Sequence, residues 1–152
     1  MTHDASAASP VATRRALAIH VGLFAACCAT TAAFGGPWFA ATLMGILLCH
    51  ELGHYVVGRR RGVEVSLPYF IPMPPQITLG TLGAVIRMRK PISDRNALFD
   101  VGAAGPIAGL VVAIPLLVIG LCLSDVGPIK PDDMIEGNSI LYALLKYAVF
   151  GR

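Results

Sequence analysis

Three long apolar stretches dominate the pattern of hydrophobic and polar positions along the chain. They run from about 16 to 34, from 38 to 58 and from 97 to 123. Each stretch has about the 20 residues that a helix needs to cross a bilayer. Gly35-Gly36-Pro37 makes a tight connection between the first two stretches and predicts an antiparallel pair. The pattern therefore predicts a mainly α, polytopic integral membrane protein with about three transmembrane helices.

The basic residues order these spans across a membrane. Arginines stand immediately before the first span and after the second, and four more basic residues lie between 87 and 95, before the third. By the positive-inside rule, the N-terminal tail 1–15 and the loop 59–96 are cytoplasmic, and 124–137 lies on the other side. A signal peptide cleaved near 31–33 is the competing interpretation of the first span. The pattern predicts a multi-pass protein of a bacterial inner or plasma membrane, or of an organelle membrane.

Composition agrees with a membrane location. The chain has 152 residues, of which 55% are hydrophobic and 14% charged, and its mean hydropathy is +0.69. This balance is outside the usual range of soluble domains. The order of the basic residues explains the net charge of +3 by membrane topology, so we expect a lipid bilayer and no nucleic acid as partner. All four cysteines lie in apolar spans, which predicts buried free thiols without a disulfide framework: Cys27, Cys28, Cys49 and Cys122.

The loop 62–91 has the pattern of a β-structure. Val63, Val65 and Leu67 alternate with polar residues, which is typical of a strand. Prolines between 68 and 75 exclude a helix, and β-branched and apolar residues resume from 77 to 88. We predict a β-hairpin or short sheet at the membrane surface, beside the second span. It could hold an unwound substrate peptide extended, or it could simply be a packing loop.

The second span is interrupted by charged or histidine residues at only one place, His50-Glu51-Leu52-Gly53-His54. Residues four apart share one face of a helix, so His50 and His54 can reach a single zinc ion. Glu51 is close enough to activate water as a general base without being a ligand. His50 precedes Arg59 by nine residues, about 13 Å along the axis, which places the motif near the bilayer midplane. Ionisable groups at that depth are costly and indicate function.

The third span carries two small-xxx-small pairs, which let helices approach closely. We therefore predict that this span packs against the helix of the motif. The pairs are Ala104/Ala108 and Gly105/Gly109. Asp100 stands near the cytoplasmic end of the same span, too shallow to reach His50 without tilt.

Taken together, these motifs resemble the site-2 protease family of intramembrane zinc metalloproteases, and in particular its ethylene-dependent-gravitropism-deficient branch. The likeness covers about 38–123 and rests on residues 50–54, 68–75, 80–86 and 98–106. It implies that His50 and His54 are zinc ligands, that Glu51 is the catalytic base and that Zn²⁺ is the cofactor. It also implies regulated intramembrane proteolysis of transmembrane protein substrates.

In that family the third ligand comes from an Asp-Gly motif on a later helix, and this sequence has no Asp-Gly pair. We expect residues 16–152 to be the N-terminal part of the protease domain, ending with an amphipathic segment at 138–150, and the third ligand to lie beyond Arg152. Gly109 stands where many relatives have an asparagine. Asp100 is the in-chain alternative for the third ligand, at the cost of a strained ligand shell.

Three functions compete on these grounds. The first is a zinc-dependent intramembrane endopeptidase that cleaves transmembrane segments. The alternative is a non-catalytic membrane adaptor or binding protein that retains the protease fold, since the third ligand is absent. A transporter with a midplane ion site comes third, weakened by the absence of internal repeats. Residues 1–152 alone are expected to insert into a membrane without cleaving.

Overall fold

The computed structural model describes residues 10–124, 137 and 139–151. The described chain is mainly helical, with one small two-stranded sheet. It divides into two compact units, Met1–Leu110 and Val111–Arg152. Two helical segments are long and apolar enough to cross a membrane, Arg14–Arg60 and Arg95–Cys122.

The first helical element, α1 (Pro10–Arg60), is a helical hairpin interrupted at Gly36. Gly36 has φ 84° and ψ 173°, a conformation that glycine adopts readily, and Pro37 then begins the second helix, where its fixed φ suits the first turn. Cys27 and Met44 stand almost symmetrically about Gly36 and share one buried cluster. In an unbroken helix these residues would be about 25 Å apart. The chain therefore reverses at Gly36, as the sequence predicts.

The second helix, α2 (Arg95–Cys122), continues without a break through its two prolines. The Asp94 carboxylate accepts hydrogen bonds from the backbone N–H groups of Asn96 (3.1 Å) and Ala97 (3.2 Å) and so caps its first turn. The predicted third span thus begins two residues earlier than expected and ends one earlier. Cys27 is buried, whereas Cys122 is exposed, so the prediction of buried thiols is wrong for Cys122, which lies at the helix end.

In the second unit, α3 (Ile140–Phe150) lies within the predicted segment 138–150. The Ser139 hydroxyl accepts a hydrogen bond from the Tyr142 N–H (3.1 Å), and Gly151 closes the helix with φ 70°. With 11 residues the helix is shorter than the roughly 17 needed to span a bilayer. The predicted outer loop at 124–137 lies almost wholly outside the described residues.

The sheet pairs β1 (Tyr69–Pro72) with β2 (Thr81–Val85) in antiparallel register. The predicted hairpin is therefore present, but the prediction of its first strand at 63–67 is wrong. Val65 makes only an isolated bridge to Met88, and the strand lies in the proline-rich segment instead. Proline excludes a helix but tolerates extended backbone at a strand end, where Pro72 lies. Phe70 then anchors the strand, since it is 2% exposed in the cluster with Cys27 and Met44.

The hairpin lies along the helices of α1 and not at their end. His20 Nδ1 donates to the Pro68 carbonyl oxygen (3.0 Å), and the Thr30 hydroxyl donates to the Gly80 carbonyl oxygen (2.5 Å). These two helix positions are about 15 Å apart along the axis. The expectation that the hairpin lies at the membrane surface stays a prediction. Pairing within the hairpin satisfies one edge of each strand, and the two helix side chains satisfy the carbonyl oxygens of Pro68 and Gly80.

Candidate metal centre and cavity

The two motif histidines lie on one face of the second helix of α1. Their Nε2 atoms are 3.1 Å apart, and the ring centroids are 4.8 Å apart. Two nitrogens at the usual zinc distance and a tetrahedral angle are separated by about 3.3 Å. The pair therefore has the bite of two ligands to one tetrahedral metal ion.

A backbone carbonyl of α2 orients one of these rings. His54 Nδ1 is 2.6 Å from the carbonyl oxygen of Val101. Because a carbonyl only accepts, Nδ1 is the donor, and the lone pair of His54 then resides on Nε2, facing His50. Metal-binding histidines usually make such a bond through the nitrogen that does not touch the metal. Sequence reasoning missed Val101, because a backbone acceptor leaves no signal in the side-chain pattern.

Small residues at the contact of the two helices make this approach possible. A Cβ at Gly105 would overlap the His54 ring, and one at Gly109 would stand 3.4 Å from His50 Cβ. On the other side, Gly53 lies against the Ala104 carbonyl. The predicted packing of the third span on the motif helix is therefore confirmed. A side chain at position 109 would contact His50, so this position borders the site.

Glu51 is buried, at 8% exposure, and shares a cavity with His54. The cavity has a volume of about 360 Å³. Apart from these two side chains its walls are aliphatic or glycine, from the hairpin region and α2: Val65, Ala84, Val85, Ile86, Met88, Ile92, Leu98, Val101 and Gly102. A carboxylate and an imidazole thus face a mainly apolar space that an aliphatic side chain could fill.

Asp100 does not join the histidines. Its carboxylate pairs with the guanidinium of Arg61, which links the end of α1 to the first turns of α2. In the part of the chain that the structure describes, no group of three or more His, Cys, Asp or Glu side chains could hold a metal ion. The described residues thus supply two candidate ligands, and the possible substitution by Asp100 finds no support in this geometry.

A histidine pair at helical spacing beside a buried glutamate is the pattern of a metallopeptidase. Comparison with protein families agrees: residues 38–149 match Peptidase family M50, the site-2 proteases, and the chain belongs to this family. The match covers the motif helix, the hairpin, α2 and nearly all of α3.

Individual relatives place the chain near the ethylene-dependent-gravitropism-deficient branch. The probable chloroplastic zinc metalloprotease EGY1 of Arabidopsis thaliana is 38% identical over 100 residues, covering 66% of this chain and 18% of the relative. The EGY2 homologue of Oryza sativa subsp. indica is 33% identical over 118 residues, covering 76% and 21%. A putative zinc metalloprotease of Synechocystis is 31% identical over 91 residues, covering 57% and 22%.

The chain spans about a fifth of the length of these relatives. No solved structure matches it.

Proposed function

We propose that this chain forms part of a zinc-dependent intramembrane endopeptidase that cleaves transmembrane segments of membrane proteins. The observation that carries the proposal is the His50–His54 pair beside buried Glu51 inside an apolar helix, where Glu51 and His54 line an apolar cavity. Burying charged and metal-binding groups inside an apolar span costs free energy, so their presence there indicates a function. The three relatives described above are named as probable or putative zinc metalloproteases, which supports the same chemistry.

In this proposal His50 and His54 hold zinc through their Nε2 atoms, with a third ligand from outside the described residues. Zinc, when bound, supplies Lewis-acid chemistry: it polarises a carbonyl and acidifies water. Glu51 takes the proton of the attacking water and passes it to the leaving amine. Val101 keeps the His54 tautomer fixed through its carbonyl oxygen.

The hairpin has the position to present the substrate. Its strand β2 pairs with β1 along one edge, and no strand of the described chain pairs with the other edge. Ala84 and Val85 of this strand line the cavity together with Glu51. A transmembrane substrate must be unwound before its carbonyls are accessible, and the free edge can hold it extended by backbone hydrogen bonds. The aliphatic walls suit the side chains of such a segment.

The proposed topology has three spans, with the two helices of α1 as the first two and α2 as the third. Arg14 and Arg15 then share a side with Arg59–Arg61 and with the loop that precedes α2. Single cysteines at positions 15 and 95, in a protein without native cysteines, are expected to react with a membrane-impermeant reagent from the same side. Reaction from opposite sides would exclude this arrangement.

The function itself is tested with the full-length protein in proteoliposomes. A reporter with one aliphatic transmembrane segment is expected to be cut within that segment, and a chelator that removes zinc should stop the cleavage. The matched control is a reporter whose segment is replaced by a stable poly-leucine helix, which resists unwinding and should be cut slowly. Bound zinc without any cleavage would favour the non-catalytic binding protein, and cleavage that resists zinc removal would exclude the mechanism.

A further inference from the structure

A second cleft, near the basic end of the helical hairpin, has a chemistry opposite to that of the apolar cavity. It has a volume of about 630 Å³ and is lined by three arginines, Arg59, Arg87 and Arg89. Glu64 is the one carboxylate among its lining residues, so the cleft carries two more positive than negative side chains. Val65, Ser66, Tyr69 and Met88 complete the lining. Such a surface favours an anion.

Backbone pairing brings the arginines together from distant positions. Ser66 N–H donates to the Arg87 carbonyl oxygen (2.9 Å), and Arg89 N–H donates to the Glu64 carbonyl oxygen (3.1 Å). Arg87 and Arg89 lie two apart on the segment that follows β2, and both line the cleft. Arg59 reaches the cleft from the last turn of α1.

The charge of the cleft is only partly compensated. Arg89 pairs with Glu64 at 3.7 Å. Within residues 14–124, no carboxylate pairs with Arg59 or Arg87, and both side chains belong to exposed residues. Like charges facing one cleft repel unless an anion lies between them. The planar guanidinium group can donate two parallel hydrogen bonds to two phosphate oxygens, which makes arginine a preferred partner of a phosphate group.

The position of the cleft selects the kind of phosphate. Arg59 is almost as far after Gly36 as Arg14 is before it, so the antiparallel helices bring both arginines to the same end. The apolar span 38–58 stops there, which is where lipid headgroups begin in the proposed orientation. Tyr69 (36% exposed) and Met88 (47% exposed) add exposed apolar surface to the cleft. A free phosphate has no apolar part that could pack on this surface, whereas the acyl and glycerol parts of a lipid can cover it.

We propose that the cleft of Arg59, Arg87 and Arg89 binds the phosphate headgroup of an anionic phospholipid. The lipid would hold the end of α1 and the extension of β2 at a fixed depth, since one headgroup contacts both elements. This assignment rests on the cleft and on the proposed three-span topology, and it stands whether or not the protein is a protease.

Binding is measured with the full-length protein in neutral detergent, titrated with fluorescent phosphatidylglycerol, with phosphatidylcholine as the neutral lipid. Arg59→Gln and Arg87→Gln are each expected to weaken phosphatidylglycerol binding about fivefold. This is the usual loss of affinity when one arginine near an anionic lipid is removed. The double variant should lose about 25-fold if the effects are independent. Arg87→Lys keeps the charge but cannot donate the paired hydrogen bonds, so it should weaken phosphatidylglycerol binding less than Arg87→Gln does.

The matched control is Arg95→Gln, which removes the same charge from an exposed residue outside the cleft. It should change binding less than twofold. An equal loss in this control would mean that general surface charge attracts the lipid and would overturn the site. Glycerol phosphate, the soluble headgroup analogue, should bind far more weakly than the lipid. Equal affinity for the two, or tighter binding of an acidic peptide, would also overturn the assignment. A thermal melt of every variant shows that the fold is kept.

Discussion

Gly105 lies directly against the imidazole of His54, with no room for even a methyl group between the two helices. The same approach brings Val101 within hydrogen-bond distance of His54. The side chain of residue i+4 shields the carbonyl of residue i in a helix, so a glycine at 105 leaves the Val101 carbonyl open. Gly105 thus allows the His54 ring to pack against α2 and leaves the Val101 carbonyl free to accept from His54 Nδ1, which fixes the tautomer of this candidate zinc ligand.

Gly105→Ala should therefore displace the His54 ring. We expect zinc affinity to fall about 10- to 100-fold, as for the loss of other groups that orient a ligand, and the free energy of unfolding to fall by about 1–3 kcal/mol from overpacking. Zinc affinity is measured by competition with a chelator. Gly120→Ala, on the same helix with nothing within 4 Å of the added Cβ, is the control and should keep its zinc. Unchanged affinity in Gly105→Ala would show that the ring has space to move.

Removing either histidine should strip the metal from the full-length protein. His50→Ala or His54→Ala leaves too few protein ligands for tight binding, so the zinc content should drop well below one equivalent. His20→Ala is the control, because His20 contacts the hairpin and not the motif. A full equivalent of zinc in either motif variant would mean that the ligands lie elsewhere.

Glu51→Gln should abolish hydrolysis while largely sparing zinc. The amide has the size of the carboxylate but cannot take a proton, and general bases contribute about 10²- to 10⁴-fold to a rate. Reporter cleavage and zinc content are measured on the same preparation, so that a lost metal is not mistaken for a lost base. Undiminished cleavage by this variant would remove Glu51 from the mechanism.

Asp100→Asn should leave zinc in place, because the Asp100 carboxylate pairs with Arg61 and not with the histidines. Both side chains are partly exposed, at 49% for Arg61 and 33% for Asp100. We therefore expect a loss of at most about 1 kcal/mol in unfolding free energy. The exchanged pair Arg61→Asp with Asp100→Arg should recover part of that loss. Zinc lost in Asp100→Asn would restore this residue as a candidate ligand.

Two glycines of the hairpin offer a matched test of its position. Gly80 and Gly83 both have positive φ, at 92° and 94°, so alanine at either position is strained by about 1–3 kcal/mol. Only at position 80 would the added Cβ also overlap the backbone of Thr30 and Thr31. Gly80→Ala should therefore also detach the hairpin from α1 and speed amide exchange in β2, whereas Gly83→Ala should show the strain alone. Equal exchange in both variants would mean that the contact with Thr30 does not hold the hairpin.

The sequence determined the features that depend on local pattern. Apolar stretches of membrane length, the break at 35–37 and the four-residue spacing of His50 and His54 are all readable without a fold, because helical periodicity and proline act over a few residues. The small-xxx-small pairs also indicated close packing, since lack of volume is a property of the residue itself. The absence of a helix in the proline-rich segment follows from the missing N–H of proline.

Tertiary structure decided everything that joins distant segments. Which residues of the loop form the first strand depended on Phe70, which enters the cluster of Cys27 and Met44, and not on the alternation of Val63, Val65 and Leu67. The position of the hairpin along α1 depended on His20 and Thr30, whose partners are backbone carbonyls. Side-chain patterns record burial and spacing, but a backbone carbonyl is the same at every position. Only the folded chain could therefore show that the oxygens of Val101, Pro68 and Gly80 are the ones that hold the site and its hairpin in place.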